Sequence, residues 1–379
     1  MLNYWLALDL TERIIVAAFA LCWLIQIIYW LYFYVKPGTP SPEKHDPAHW
    51  PAVSVVICAR NEERNLMENL HAIMDQDYPN FEVIVVNDSS WDDTATILKA
   101  FKLQYNHKLH LVDLDEEKQS MGGKKFALTL GIKAAKNDLL LLTDADCKPL
   151  SRQWIREMVK ARMEGKEIVL GFSPYRRTKG LLNKLIRFDG FMIGIQYFGF
   201  ASRGLAYMGV GRNLMYSKEL FFRVGGFRTH YILASGDDDL FVQEAARKNN
   251  VAWTLHKDSL TESDAKTTRR DWFRQKMRHF TTAPRYKRKL RNLLALGPAS
   301  YLLMLGLAAA CFIMHTLVLV VGGMLLVRWI VQWIILHRAS RQLHQPDLFW
   351  PAPALEFMLT FMQLWLYTLN LIVKPQKWN

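Results

Sequence analysis

Residues 14–35, IIVAAFALCWLIQIIYWLYFYV, carry no charged side chain over 22 positions. A lone stretch of chain in lipid must satisfy its own backbone hydrogen bonds, which a helix does. At 1.5 Å per residue such a helix is about 33 Å long, enough to cross the hydrocarbon core of a bilayer. The run is too long for a signal-peptide apolar region, and no small-x-small cleavage pattern follows it. It therefore reads as a retained span. Lys36 follows directly, while Asp9, Glu12 and Arg13 precede, which turns the C-terminal side toward the cytosol.

Two further apolar regions lie near the C-terminus. Residues 297–337 hold Arg328 as their only Lys, Arg, Asp or Glu, and this length suits two antiparallel helices. The turn between them is placed near His315 and Thr316, with Gly322-Gly323 as the alternative. Residues 349–373 read as a further span with Glu356 as its only charge. An isolated charge at membrane depth is costly, so Arg328 and Glu356 are expected to pair. The pattern is one span, a soluble region of about 260 residues, then three spans. A mean hydropathy of -0.02 with 51% hydrophobic residues fits that division. The cysteines (Cys22, Cys58, Cys147, Cys311) show no paired or metal-ligand spacing, which fits a reduced setting.

Between Lys266 and Arg291 the chain has eleven Lys or Arg against one acid, Asp271. Nucleic acid is one partner for such a run. Its place directly before a span favours anionic lipid headgroups instead, so no nucleic-acid partner is expected. The expected division is an N-terminal transmembrane helix at 1–36, a soluble domain at 50–265, a basic interfacial segment at 266–292, and three transmembrane helices within 293–373.

Inside the soluble region, continuous apolar runs alternate with helical periodicity. VSVVIC (53–58), FEVIVVND (81–88), LHLVDLD (109–115), DLLLLTDAD (138–146) and EIVLGFSP (167–174) read as strands, with helices from Asn61, from about Trp91 and over 123–136. Strands apolar on both faces and joined by helices predict an α/β fold with a mostly parallel sheet. Ligands of such sheets bind beyond the carboxyl ends of the strands. Those ends carry ARNEE (59–63), NDSSWDD (87–93) and DAD (144–146), so three polar clusters converge on one edge. There is no G-x-G-x-x-G after the first strand and no G-x-x-x-x-G-K-[ST].

Each cluster has an ordinary reading beside a chemical one. Asp144 and Asp146 either start a turn and cap a helix or offer two hard oxygen ligands to a divalent cation. GGKK (122–125) is either a loop before a helix or a diphosphate contact through free N–H groups and Lys124. GDDD (236–239) is either a charged helix start or the source of a base.

These motifs, in this order, resemble the inverting glycosyltransferases of family 2, whose fold is the Rossmann-like GT-A fold. The likeness runs from about Pro51 to Phe280, and the flanking spans resemble those of membrane-embedded members such as ceramide glucosyltransferases and poly-N-acetylglucosamine, hyaluronan or cellulose synthases. The resemblance implies a nucleotide site formed by Arg60, Glu62, Asp88, Lys124 and Asp144, with Asp88 reading the N3–H of uracil. TDADC implies a Mg2+ or Mn2+ site at Asp146, with Asp144 on the nucleotide or in the metal shell. YMGVGRNLMYSKELFFRVGGF (207–227) is similar to the glycine-rich acceptor-side segment, and SGDDDLFVQEAA (235–246) to the segment that supplies the base. Anchored on Gly236 the pattern makes Asp238 the base, and anchored on Leu240 it favours Asp237; Asp239 stays open. RQKMRHF (274–280) is similar to the Gln-x-x-Arg-Trp motif, with Gln275 and Arg278 toward diphosphate or acceptor and His279 where Trp is usual.

Spans and motifs together predict an integral protein of the inner (cytoplasmic) membrane with a cytosolic catalytic domain. It would move a sugar from a nucleoside diphosphate sugar, by resemblance a UDP-sugar with guanosine as the alternative, to a lipid-borne or glycan hydroxyl. A processive polysaccharide synthase of the same fold is the second reading. A binding scaffold needs no base, so acids at both the metal and base positions speak against it.

Overall fold

The computed structural model describes residues 8–38, 45–114, 123–162, 165–233 and 235–372. Helix α1 (Leu10–Tyr29) runs into a π-turn (Trp30–Tyr34). Then β1 (Val53–Ala59), α2 (Glu63–Met74), β2 (Phe81–Asp88), α3 (Thr94–Tyr105), β3 (Leu109–Leu114), α4 (Gly123–Ala134) and β4 (Leu139–Leu142) alternate as the apolar runs require. The strands are almost wholly buried because helices cover both faces of the sheet. β1 pairs in parallel with β2 (Val53↔Phe81) and with β4 (Val53↔Leu139), so the carboxyl ends at Ala59, Asp88 and Leu142 lie on one edge.

Beyond β4 the chain continues through β5 (Cys147–Pro149), α5 (Trp154–Ala161), β6 (Ile168–Leu170), α6 (Leu181–Ser202), β7 (Leu214–Ser217), α7 (Lys218–Arg223), α8 (Asp239–Ala245), β8 (Val251–Trp253), β9 (Thr261–Ser263) and α9 (Arg269–Phe280). The large sheet has the order β3-β2-β1-β4-β7-β6-β8. The expected strand at 167–174 is therefore shorter and does not lie beside β4. An antiparallel strand, β7, stands between them (Leu142↔Leu214, Leu170↔Leu214). β5 and β9 form a second, two-stranded sheet (Cys147↔Ser263) that fixes the chain directly after Asp146.

The C-terminal part consists of α10 (Arg288–Ile313), α11 (Val318–Gln342) and α12 (Ala352–Ile372). Among the described residues, three helices are long and apolar enough to cross a membrane: Leu10–Tyr34, Arg288–Ile313 and Val318–Gln342. The segment expected to form a further span is the helix α12. The turn between α10 and α11 falls at Met314–Leu317, with His315 and Leu317 at φ 57° and 45°. This is the first of the two positions expected. Arg328 and Glu356 meet as anticipated: Nη1 and Nη2 each donate to a Glu356 oxygen at 2.7 Å. Arg328 is 0% exposed. It also donates to Gln332 and Gln26 at 2.8 and 3.0 Å and lies 4.5 Å from the Tyr301 ring.

The domain and these helices interlock. Phe33 stacks on Phe200 of α6 at 4.2 Å. Gly199 allows this approach, since a Cβ there would stand 2.1 Å from the Phe33 carbonyl oxygen. Arg187 on α6 makes a two-pronged ion pair with Asp347 (2.8 and 2.7 Å) in the loop between α11 and α12.

Candidate active site

The first two strand ends are laced together by backbone-to-side-chain hydrogen bonds. Asn61, at φ 56°, donates its N–H to Ser90 Oγ (3.0 Å) and accepts from the Trp91 N–H (3.0 Å). The Glu62 N–H donates to Thr94 Oγ1 at 2.9 Å, and the Asn65 amide donates to the Glu62 carboxylate. Burial, with Asp146 and Asp144 adding to it, pushes Glu62 up to about 7. Those two acids act across the cleft from another strand end, so the three clusters do meet. Arg60 lies over the Trp91 ring at 5.5 Å. Asp88 is 2% exposed, and its Oδ2 has no hydrogen-bond partner among the described residues. Burial raises its carboxyl, while Arg60 opposes the shift. Asp88 Oδ2 is thus a buried acceptor without a hydrogen-bond donor among the described residues.

β4 stops at Leu142, short of the strand expected over 138–146, and the chain passes through Thr143 into Asp144-Ala145-Asp146 before β5. Ligand atoms of Asp144, Asp146 and Cys147 lie within 4.8 Å of one another. Burial and then the two carboxylates push the Cys147 thiol well up, so it keeps its proton and donates to Asp146 Oδ1 at 3.3 Å. The donors left for a cation are carboxylate oxygens, a set that suits a hard divalent ion. Burial and then Asp144 raise Asp146, against the pull of Arg212.

Arg212 is a residue that sequence reasoning misses. Its guanidinium lies 4.4 Å from the Tyr175 ring, and Nη1 donates to Ser263 Oγ at 2.6 Å. Its carbonyl accepts from both Thr143 and Thr261 at 3.0 Å, which pins it between β4 and β9. Only contacts made in the folded chain reveal this position.

Lys124, in the first turn of α4, bridges the two halves of the cleft. Its Nζ stands 2.8 Å from Asp144 Oδ1 and 3.1 Å from Asp237 Oδ2. Burial alone would lower this ammonium, but Asp144 and Asp237 hold it well above its ordinary value.

The three successive acids do different things. Burial alone would raise Asp237, but Lys124, with Lys125 behind it, holds the carboxyl below the usual range. Asp239 accepts from the Thr282 hydroxyl, from the Tyr286 hydroxyl at 2.7 Å and from the Leu240 N–H at 2.7 Å. It thus ties α8 to the basic segment. Asp238 caps α8 by accepting from the Asp239 N–H (2.8 Å), and it accepts from the Gly211 N–H (3.0 Å). Burial, then the charges of Asp237 and Asp239, push Asp238 up to about 7.

On α9, Trp272 and Lys276 form the buried face. Lys276 pairs with Asp189 of α6, so this basic residue belongs to the protein interior and not to the expected lipid-facing charge. Gln275 and Arg278 are half-buried. The next residue, His279, is exposed at the end of α9.

Residues 54–227 match the family described as glycosyl transferase family 2. That match covers just under half of the chain, and Asp237–Asp239 lie beyond it. The poly-beta-1,6-N-acetyl-D-glucosamine synthase of Staphylococcus epidermidis is 32% identical over 125 residues, covering 33% of this chain and 29% of that protein. The 4,4'-diaponeurosporenoate glycosyltransferase of Staphylococcus aureus is 30% identical over 130 residues, covering 34% of this chain and 33% of the relative. The chain thus spans about a third of the length of these curated relatives. A mannosyltransferase from Pyrobaculum calidifontis, solved with GDP-Man and Mn2+, superposes with a TM-score of 0.57 at 20% identity over 94% of this chain and 99% of that one. The fold is GT-A, as the motifs implied.

Proposed function

We propose that the chain is a membrane glycosyltransferase that moves a sugar from a nucleoside diphosphate sugar, most simply a UDP-sugar, to a lipid-borne hydroxyl with inversion. One observation carries the reading: a carboxylate pair, a lysine and a high-pKa aspartate from distant parts of the sequence share one cleft at the carboxyl ends of the strands. Asp88, with Arg60 and Glu62 beside it, suits the nucleotide base, since its bare Oδ2 can accept an imide or amide N–H. Asp144 and Asp146 would hold Mg2+ or Mn2+, which neutralises charge on a departing diphosphate. Lys124 faces the same group, and Gln275 and Arg278 of α9 would contact it.

Asp238 takes the proton from the acceptor hydroxyl as that oxygen attacks the anomeric carbon from the side opposite the leaving group. Asp237 is held as the partner of Lys124 and Asp239 as the anchor of α8, which leaves Asp238 for this role. The basic segment rests on anionic headgroups of the inner membrane, with the domain on the cytosolic side and α12 completing the spans. A processive synthase of the same chemistry is the second reading, favoured by the likeness to the poly-beta-1,6-N-acetyl-D-glucosamine synthase. The test is a panel of UDP-glucose, UDP-GlcNAc and GDP-Man with purified protein and lipid extract, with and without Mg2+ or Mn2+. Nucleoside diphosphate release with a new mass in the lipid fraction is expected. No release from any donor under either metal would overturn the reading.

A further inference from the structure

Lys125 follows Lys124 in the first turn of α4 but turns inward and is 3% exposed. Its Nζ donates to three backbone carbonyls: His230 at 2.6 Å, Leu233 at 3.0 Å and Ser235 at 2.7 Å. An ammonium has three N–H donors, and here each has an acceptor. All three carbonyls belong to the stretch that passes through Gly236, at φ 109°, into Asp237–Asp239. Its start is also tied to α8, where Thr229 donates to the Glu244 carboxylate and His230 Nδ1 lies 3.4 Å from it, and Tyr231 packs against the core. Ile232 is 98% exposed, and His230 is the stretch's buried side chain.

A buried lysine saturated by carbonyls is an ordinary loop staple if its surroundings have no further role. Here the same helical turn grips the chain on both sides of Gly236. Lys125 holds the carbonyls ahead of Gly236, and Lys124 holds the Asp237 carboxylate just after it. Lys124 also touches Asp144 on the opposite wall. A shift of the 228–236 backbone would move Asp238 against a cleft wall that Lys124 fixes independently. Misplacement by about 1 Å can cost on the order of a hundredfold in rate.

We propose that Lys125 is a positioning residue for the transfer step: it fixes the backbone ahead of Gly236 so that Asp238 stands where the acceptor hydroxyl must be deprotonated. The proposal rests on the reading of Asp238 as the base. Lys125 touches neither donor nor acceptor, so its loss should act on turnover and spare donor binding.

The test uses full-length Lys125→Met in detergent with Mg2+, comparing kcat and donor KM across UDP-glucose, UDP-GlcNAc and GDP-Man. Hydrogen exchange of the 228–240 peptide is followed in parallel, with UDP present. The expected result is a fall in kcat of about tenfold or more with donor KM held within about twofold, and faster exchange confined to that peptide. An unchanged kcat in folded protein, or faster exchange throughout β1, β2 and β4, would overturn it. If Lys125→Met does not fold, Lys125→Gln, with two N–H donors in place of three, is judged by the same criteria. Asp238→Asn measured alongside separates the two claims. Wild-type turnover there rejects the base, while the exchange result still decides whether Lys125 holds the stretch.

Discussion

Replacing Asp238 by Asn removes the proton acceptor and keeps the side-chain oxygen that caps α8. General-base catalysis contributes roughly 10²–10⁴ in rate, so kcat should fall by about that factor with donor KM little changed. The pH dependence sharpens the test. Asp238 is pushed to about 7 against an ordinary 3.8, so wild-type kcat should drop about tenfold per pH unit below 7 as the carboxylate is protonated. Stability runs the other way. Between pH 3.8 and 7 the folded chain holds a proton at Asp238 that the unfolded chain has lost. The carboxyl's favourable contribution is therefore complete below 3.8 and disappears as pH rises through 7. At 1.36 kcal/mol per unit this amounts to at most about 4 kcal/mol, shared with Asp237 and Asp239, whose charges help create it. Asp238→Asn should thus lose activity at every pH yet gain thermal stability relative to wild type above pH 7. The assay is nucleoside diphosphate release against pH in detergent, with melting curves on the same preparations. Activity within tenfold of wild type, or an unchanged acidic limb in the variant, would refute the reasoning.

Asp146→Ala should abolish transfer, and excess chelator should do the same to wild type; full activity in chelator would remove the metal from the mechanism. Arg328→Met leaves Glu356 buried without its partner, which costs about 3–5 kcal/mol for a buried pair. The double change Arg328→Met/Glu356→Gln should recover much of the lost thermal stability in detergent, whereas additive losses would show that the pair is not coupled. With saturating donor, one mass increment per acceptor is expected, because the imidazole of His279 gives a sugar ring less stacking surface than indole; a ladder of long polymer would establish the processive reading instead.

Much of this arrangement can be read from residue order because it is local. The β1 and β2 runs, Val53–Ala59 and Phe81–Asp88, are apolar and β-branched where helices cover both faces, so their ends announce the cleft. β7 escapes notice because LMYS is four residues without a periodic signature, inserted antiparallel by the long excursion through α6. The three acids of GDDD look alike in sequence. What separates them is distant: Lys124 for Asp237, and Thr282 and Tyr286, 43 and 47 residues downstream, for Asp239. Lys276 sits within a basic run whose charge suggests lipid, and only its contact with Asp189 shows it turned inward. Arg212 and Lys125 fall within the 207–227 and GGKK stretches, but nothing there marks their parts, since stacking on Tyr175 and saturation by three carbonyls are properties of the folded chain.

The cross-links between domain and helices bear on where an acceptor can meet Asp238. Arg187 pairs with Asp347 beside α12, Asp189 binds both Lys276 and Gln363, and Asp239 takes hydroxyl donors from Thr282 and Tyr286 ahead of α10. Lys287 adds its Nζ to the Gln243 carbonyl at 2.8 Å, while its N–H donates to the Gln243 side chain at 2.8 Å. Several of these groups are buried charges, and separating the domain from the helices would strand them unpaired at a cost of several kcal/mol each. The domain is therefore held against the C-terminal helices and does not swing on a tether. Asp239 and Gln243 lie on the same short helix that Asp238 caps, so the height of Asp238 above the helices is set by the contacts of the basic segment. On the proposed reading of Asp238 as the base, that fixed height would suit an acceptor hydroxyl presented by a bilayer, since such a group would reach the same plane whenever its lipid diffuses to the protein.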